Sequence, residues 1–250
     1  MPRGLLPGPW GLKITRNMSA SKRAAGRAAA ERVQNGMVVG LGTGSTVFFT
    51  LERLGERITD EGLSISGIPT SLDTATKARA FGIPIVGFEE VGQIDLTIDG
   101  ADEIDGDYSM IKGGGGALLR EKVVASLSKQ VVIIVGLDKV VETLGVSFPL
   151  PVEYVPFART PVKRALLALG AEPTLRAGAG GEAYLTDNGN EIFDCAFEGG
   201  IADAEALALA LAGTPGIVEH GLFLGLADHL VIGHEDGTAE ERSKVGSSGR

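Results

Sequence analysis

Three short segments of this sequence hold residue types that can do chemistry together. In Gly42-Thr43-Gly44-Ser45-Thr46, glycines stand between an apolar run and a helical stretch. Such a turn lets backbone N–H groups converge on an anion, with help from the helix dipole and from the hydroxyls of Ser45 and Thr46. A simple helix-capping turn has the same composition, so the segment alone leaves both readings open. It is not a P-loop, since no Gly-Lys-Ser/Thr occurs, and Val47 stands where a dinucleotide fingerprint has its third glycine. In Asp99-Gly100-Ala101-Asp102-Glu103-Ile104-Asp105-Gly106-Asp107, five carboxylates follow an apolar run. Either a ligand crevice at the C-terminal end of a buried strand or a solvated acidic loop fits; EF-hand spacing is absent. Asp99, at the strand end, is the acid least easily assigned to the surface. In Lys112-Gly113-Gly114-Gly115-Gly116-Ala117-Leu118-Leu119-Arg120-Glu121-Lys122, four consecutive glycines are costly in backbone entropy, which implies a backbone-lined pocket. Lys112 precedes that turn. Glu121, on the helix behind it, reads either as an acid–base group or as a surface acid paired along its helix.

Elements able to position these segments flank them. Residues 19–34 predict a helix, opened by serines and stopped at Asn35-Gly36. Apolar runs at 37–41, 63–68, 83–87, 95–98 and 131–135 predict strands. Helices are predicted over 47–58, 73–81 and 117–126. This alternation specifies an α/β architecture with a parallel sheet. Beyond about Leu144 the pattern changes, and Pro149, Pro151, Pro156 and Pro161 punctuate the chain. A strand at 152–155, a helix at 161–169, a hairpin pairing 184–186 with 191–196 around Asn188-Gly189, a helix at 202–212 and a strand after Pro215 read as a small α+β unit. Residues 229–232 are expected to return to the first sheet. The domain reading is an unstructured extension over 1–18, an α/β catalytic domain over 19–145 and 225–240, a small domain over 146–224, and a frayed tail over 241–250. The tail is polar from Glu235 onward.

Composition excludes several classes. The net charge of -9, from 32 acidic and 23 basic residues, argues against a duplex-DNA surface, and 5% aromatics against base stacking. Hence no nucleic acid partner is expected. No apolar run approaches the roughly 20 residues that span a bilayer, so no membrane partner is expected. The N-terminal stretch lacks the apolar core of a signal peptide; its first acid is Glu31, so a transit peptide is the alternative to an unstructured extension. The single cysteine, Cys195, fits a reducing compartment and reads as a packed side chain. His220, His229 and His234 lack zinc spacing, and no metal site is expected.

Taken together, the three segments resemble ribose-5-phosphate isomerase, type A, in order and spacing. Pro149-Leu150-Pro151-Val152-Glu153, Thr186-Asp187-Asn188-Gly189-Asn190 and Gly221-Leu222-Phe223 extend the match, which covers roughly residues 19–237. The resemblance implies a Rossmann-like parallel sheet with helices on both faces, plus a smaller ferredoxin-like α+β domain. It implies interconversion of ribose 5-phosphate and ribulose 5-phosphate with no cofactor, in a cytoplasmic homodimer or homotetramer. Glu121 matches the family's base. Thr43, Gly44, Ser45, Thr46, Asp99, Gly100, Ala101, Asp102, Lys112, Gly113, Gly114, Gly115 and Lys139 match its substrate-binding positions, and Lys22 one near the phosphate. Lys112 is the expected electrophile and Asp99 the ring-opening acid–base group, with Asp102 orienting. The run Val135-Gly136-Leu137-Asp138-Lys139 departs from the family, which usually has Asp or Glu followed by Ser or Thr before that lysine. Two alternatives are a sugar-phosphate-sensing regulator of related fold and a coenzyme A transferase-like enzyme. The regulator would need about 60 residues of helix-turn-helix ahead of the sheet.

Overall fold

The computed structural model describes residues 16–244, with side chains from Ala20 onward. The expected extension over 1–18 lies mostly outside these residues, as does the end of the tail. α1 (Arg16–Ala30) leads into β1 (Val38–Leu41), α2 (Ser45–Glu61), β2 (Ser66–Pro69), α3 (Leu72–Ala80) and β3 (Leu96–Asp99). Two short strands follow, β4 (Glu103–Ile104) and β5 (Met110–Ile111), then α4 (Leu118–Ser126) and β6 (Val131–Gly136). The next stretch holds β7 (Leu150–Tyr154), α5 (Arg159–Ala168), β8 (Glu172–Leu175), β9 (Glu191–Ala196), α6 (Ala204–Ala212) and β10 (Ile217–His220). β11 (Leu222–Phe223), β12 (His229–Gly233) and β13 (Ala239–Ser243) complete the order.

The main sheet runs β13-β12-β6-β3-β1-β2, parallel except for β13. Its parallel strands are largely apolar because both faces are covered, whereas the edge strand β13 is exposed. Alternation along β6 sends Val132 and Ile134 into one core with Ala25 and Ala29 of α1 and Leu51 and Leu54 of α2. Val131, Ile133 and Val135 face the other way, into a core shared with Leu118 and Ala125 of α4. A second, antiparallel sheet, β10-β7-β9-β8, carries its own core. There the rings of Tyr154 and Phe193 stack at 4.6 Å, and Val162, Leu166 and Leu211 bring in α5 and α6. A small third sheet, β11-β5-β4, joins the two regions.

Four expectations are corrected. The strand expected over 83–87 makes a single bridge, Gly67 to Ile85, since Pro84 has no N–H to donate to a ladder. The expected first arm of the hairpin, 184–186, forms no strand. β9 pairs instead with β8 and β7, and the 186–190 turn closes on its own bond from Thr186 N–H to Asn190 O at 2.8 Å. The helix expected over 19–34 begins at Arg16 and is α-helical only to Ala30. Glu31, Arg32 and Val33 then donate to carbonyls three residues back, tightening its last turn. The tail expected to fray from 241 is a strand through Ser243. A turn over 234–238 sends it antiparallel onto β12, and Glu241 pairs with Arg32 at 2.9 Å.

Candidate active site

A cavity of about 790 Å³ opens beyond the C-terminal ends of β1, β3, β6 and β12. This is where parallel α/β sheets place ligands, because the following loops diverge there and helix N-termini point inward. Each of the three chemical segments follows a strand or an apolar turn of the scaffold, so the fold delivers all three to this cavity.

One end is built for an anion. Gly44 caps α2 with φ 122°, a conformation open to glycine and strained for other residues. Ser45 and Thr46 form the first turn of α2 and line the cavity. Lys22, from α1, donates to Ser45 Oγ at 2.9 Å, and Lys139 lines the same wall from the 3₁₀ turn after β6. Thr43 also lines the cavity, but its hydroxyl is tied to Thr70, Ser71 and Thr74 at 2.8–3.2 Å. Its N–H is also engaged, with Asp99 Oδ1 at 3.1 Å, so Thr43 braces the turn. In the atypical run before Lys139, Asp138 Oδ2 stands 3.7 Å from Lys139 Nζ and draws on its charge.

The other end carries a buried charge cluster. Lys112 Nζ donates to the Gly100 carbonyl at 2.6 Å and lies 3.1 Å from Asp99 Oδ2 and 3.3 Å from Glu121 Oε2. All three side chains are at most 6% exposed. Asp99 Oδ1 accepts the N–H groups of Thr43 (3.1 Å) and Gly100 (2.8 Å). That approach requires Gly42, since a Cβ there would meet Asp99 Oδ1 at 2.1 Å. Glu121 differs from Asp99: no donor is aligned on its Oε2. Burial, and then the charge of Asp99, push the Glu121 carboxyl up to about 8, with Lys112 opposing. Burial likewise raises Asp99, again against the pull of Lys112. Burial would lower Lys112, but Asp99 and Glu121 outweigh it and hold the ammonium well above the usual lysine range.

Of the expected residues, Asp99 alone does not line the cavity; it stands behind the wall that Gly100 and Lys112 form. Asp102 does line it, and its Oδ2 accepts the Gly114 N–H at 2.8 Å. The other acids of the segment point elsewhere. Glu103 is buried and accepts the N–H groups of Gly145, Ser147 and Phe148. Ser21, Leu137, His234 and Glu235 are among the further residues that line the cavity without having been expected. For His234 and Glu235 the signal was available: residues 229–232 were expected to return to the parallel sheet, and Gly233 does pair with Gly136 of β6, so the loop after β12 reaches the same crevice. Among the described residues no group of three or more His, Cys, Asp or Glu is placed to hold a metal ion. No helix among them is long and apolar enough to cross a membrane.

The fold and this site define an α/β enzyme equipped for proton transfer on a small anionic substrate. The family pattern of ribose 5-phosphate isomerase A (phosphoriboisomerase A) matches residues 66–237. The ribose-5-phosphate isomerase A of Listeria innocua is 48% identical over 223 residues, covering 89% of this chain and 98% of the relative. The solved structure of ribose 5-phosphate isomerase A from Methanocaldococcus jannaschii superposes with a TM-score of 0.84 at 38% identity, covering 89% of this chain and 98% of that one. A D-ribose-5-phosphate isomerase solved in complex with phospho-erythronic acid gives 0.86 at 32% identity, covering 90% and 98%. The chain belongs to the ribose 5-phosphate isomerase A family.

Proposed function

We propose that this protein interconverts D-ribose 5-phosphate and D-ribulose 5-phosphate by proton transfer through an enediolate. One observation carries the reading. A buried carboxylate, Glu121, whose Oε2 faces the Lys112 ammonium at 3.3 Å, shares a cavity with the anion cradle of Gly44, Ser45, Thr46, Lys22 and Lys139. With the phosphate in that cradle, remote binding energy holds the sugar's other end against Glu121. In the aldose-to-ketose direction Glu121 takes the proton from C2. The C2–H electron pair becomes the C1–C2 double bond, and the carbonyl pair moves onto O1. Lys112 and the N–H group of Gly115 stabilise the oxyanion. Glu121 then returns the proton to C1, and the O2 hydroxyl proton passes to O1, leaving the ketone at C2. A raised pKa suits a group that must both take and return a proton.

The furanose must first open. Asp99 was the expected acid–base group, but it does not line the cavity, whereas Asp102 does. Ring opening is therefore assigned to Asp102, and Asp99 holds Lys112 in place. No step calls on a metal or organic cofactor.

Residues 146–224 are read as the smaller domain, supported by their separate sheet and core. A homo-oligomer is supported by large apolar side chains left open to solvent, Phe157 and Leu209 above all, and is tested by sedimentation. A cytoplasmic setting is supported by the single, buried cysteine. The family assignment leaves the regulator and transferase readings without support. The direct test supplies ribose 5-phosphate to the purified chain and measures ribulose 5-phosphate, with and without exhaustive chelation. Equal turnover in both is expected. No product refutes the function, and turnover abolished by chelator and restored by Mg²⁺ would recast residues 99–107 as a metal site.

A further inference from the structure

The glycine loop has no side chains with which to hold itself, yet its peptides must point in defined directions. In a trans peptide the C=O and the next residue's N–H point in opposite directions, so pinning one fixes the other. Three consecutive carbonyls here are pinned from the second sheet. Arg176, just past β8, donates through Nη1 to Gly113 O at 2.8 Å and Gly114 O at 3.3 Å. Tyr184 donates its hydroxyl to Gly115 O at 3.3 Å. The guanidinium is itself fixed. Its Nε donates to Asp194 Oδ2 at 3.0 Å, its Nη2 pairs with Oδ1, and it lies 5.8 Å from the Tyr184 ring centre. Asp194 sits on β9, opposite Thr174 of β8, so the sheet register brings acid and base together. Neither Arg176, Tyr184 nor Asp194 lines the cavity, while Gly113, Gly114 and Gly115 all do.

The loop closes on itself through Gly116 N–H to Gly113 O at 2.9 Å, and Gly114 N–H goes to Asp102, which leaves the Gly115 N–H for a ligand. We propose that Arg176, anchored by Asp194 and completed by Tyr184, is a positioning residue: by holding the carbonyls on either side it turns the Gly115 N–H toward the cavity and so sets the backbone oxyanion donor for isomerisation. This rests on the function proposed above. It assigns the second sheet a part in the chemistry, acting through the loop backbone. A planar guanidinium can span two carbonyls while its other edge grips a carboxylate; an ammonium cannot do both.

The test uses the full chain and three variants, Arg176→Met, Asp194→Asn and Tyr184→Phe. Each is measured for kcat and KM with ribose 5-phosphate, for inhibition by phospho-erythronic acid, and for inhibition by inorganic phosphate. The planar carboxylate of phospho-erythronic acid imitates the charged end of the enediolate, whereas phosphate reads the anion cradle alone. In Arg176→Met, kcat should fall on the order of 10- to 100-fold, the scale of a small misplacement of reacting groups. Affinity for phospho-erythronic acid should fall with it, while KM and phosphate inhibition stay near the parent values. Asp194→Asn should move the same quantities in the same direction by less, and Tyr184→Phe by least. If Arg176→Met does not fold, these two carry the decision. Variants with parental kcat and parental phospho-erythronic acid affinity would overturn the inference. So would a loss confined to KM and phosphate binding. A parent chain that neither turns over ribose 5-phosphate nor binds phospho-erythronic acid would refute the proposed function, and this inference with it.

Discussion

Glu121→Gln separates catalysis from stability in opposite directions. The substitution keeps the shape of the side chain and removes its capacity to accept a proton. Loss of a general base costs 10²–10⁴-fold in rate, about 3–5 kcal/mol of barrier. A surface acid in a helical ion pair would instead cost about 0.3–0.5 kcal/mol of stability and no activity. The burial of Glu121 also sets the sign of the stability change. Its pKa rises from 4.5 in the unfolded chain to about 8 in the folded one. Between those values the folded protein binds more protons than the unfolded, so this group's contribution to stability falls as pH rises. At about 1.4 kcal/mol per unit, ionising Glu121 in place costs a few kcal/mol. Glutamine removes that cost, and Lys112 is not orphaned, since it keeps Asp99 and the Gly100 carbonyl. The variant is therefore expected to be at least as stable as the parent at pH 8, by urea unfolding. Its exchange of the substrate C2 proton with D₂O, followed by NMR, should slow at least about a hundredfold. In the parent, kcat/KM should climb with pH through about 8 as Glu121 ionises. Near-parental exchange in Glu121→Gln would refute the assignment and move the base first to Asp102.

Lys112→Gln leaves Asp99 and Glu121 facing each other without a cation, a loss of about 3–5 kcal/mol near neutral pH. The two carboxylates protonate on acidification, so stability should recover from pH 8 to pH 5; equal urea midpoints at both would refute the charge argument. Thr46→Val removes a cradle hydroxyl remote from the reacting carbons and should raise KM far more than it lowers kcat, as uniform binding predicts. An unchanged KM would place the phosphate elsewhere. Asp102→Asn should slow opening of the furanose, measured by saturation-transfer NMR on bound ribose 5-phosphate; parental opening would return that role to Asp99.

Much of this molecule was legible along the chain, because much of its physics is local. Apolar runs of four to six residues alternating with capped helices specify buried parallel strands, since only a sheet covered on both faces hides such runs. The four glycines between Lys112 and Glu121 marked a backbone-lined pocket because such a run is costly in backbone entropy, whereas the strand–glycine–helix order around Gly44 left an anion site and a simple capping turn both open. Pairings that depend on distant partners were not legible. β13 is polar along its whole length and is held by the open edge of β12 and by Arg32, neither of which its own residues announce. The arm at 184–186 lost its place on β9 to β8, a competition between two registers that hydrophobic pattern alone does not rank. The sequence marked Asp99, at a strand end, ahead of Asp102 three residues on, but not which of them would reach the cavity. Tertiary structure alone buried Asp99 against Lys112 and left Asp102 on the cavity wall. Glu121 is the sharpest case. Arg120 and Lys122 beside it read as partners on a surface helix, yet Arg120 turns to the 186–190 loop and Lys122 to Glu219. The carboxylate is left with Lys112 and Asp99 in a site dry enough to raise its pKa. Helical neighbours at i±1 diverge by about 100°, so only the packing around α4 could decide which face Glu121 occupied.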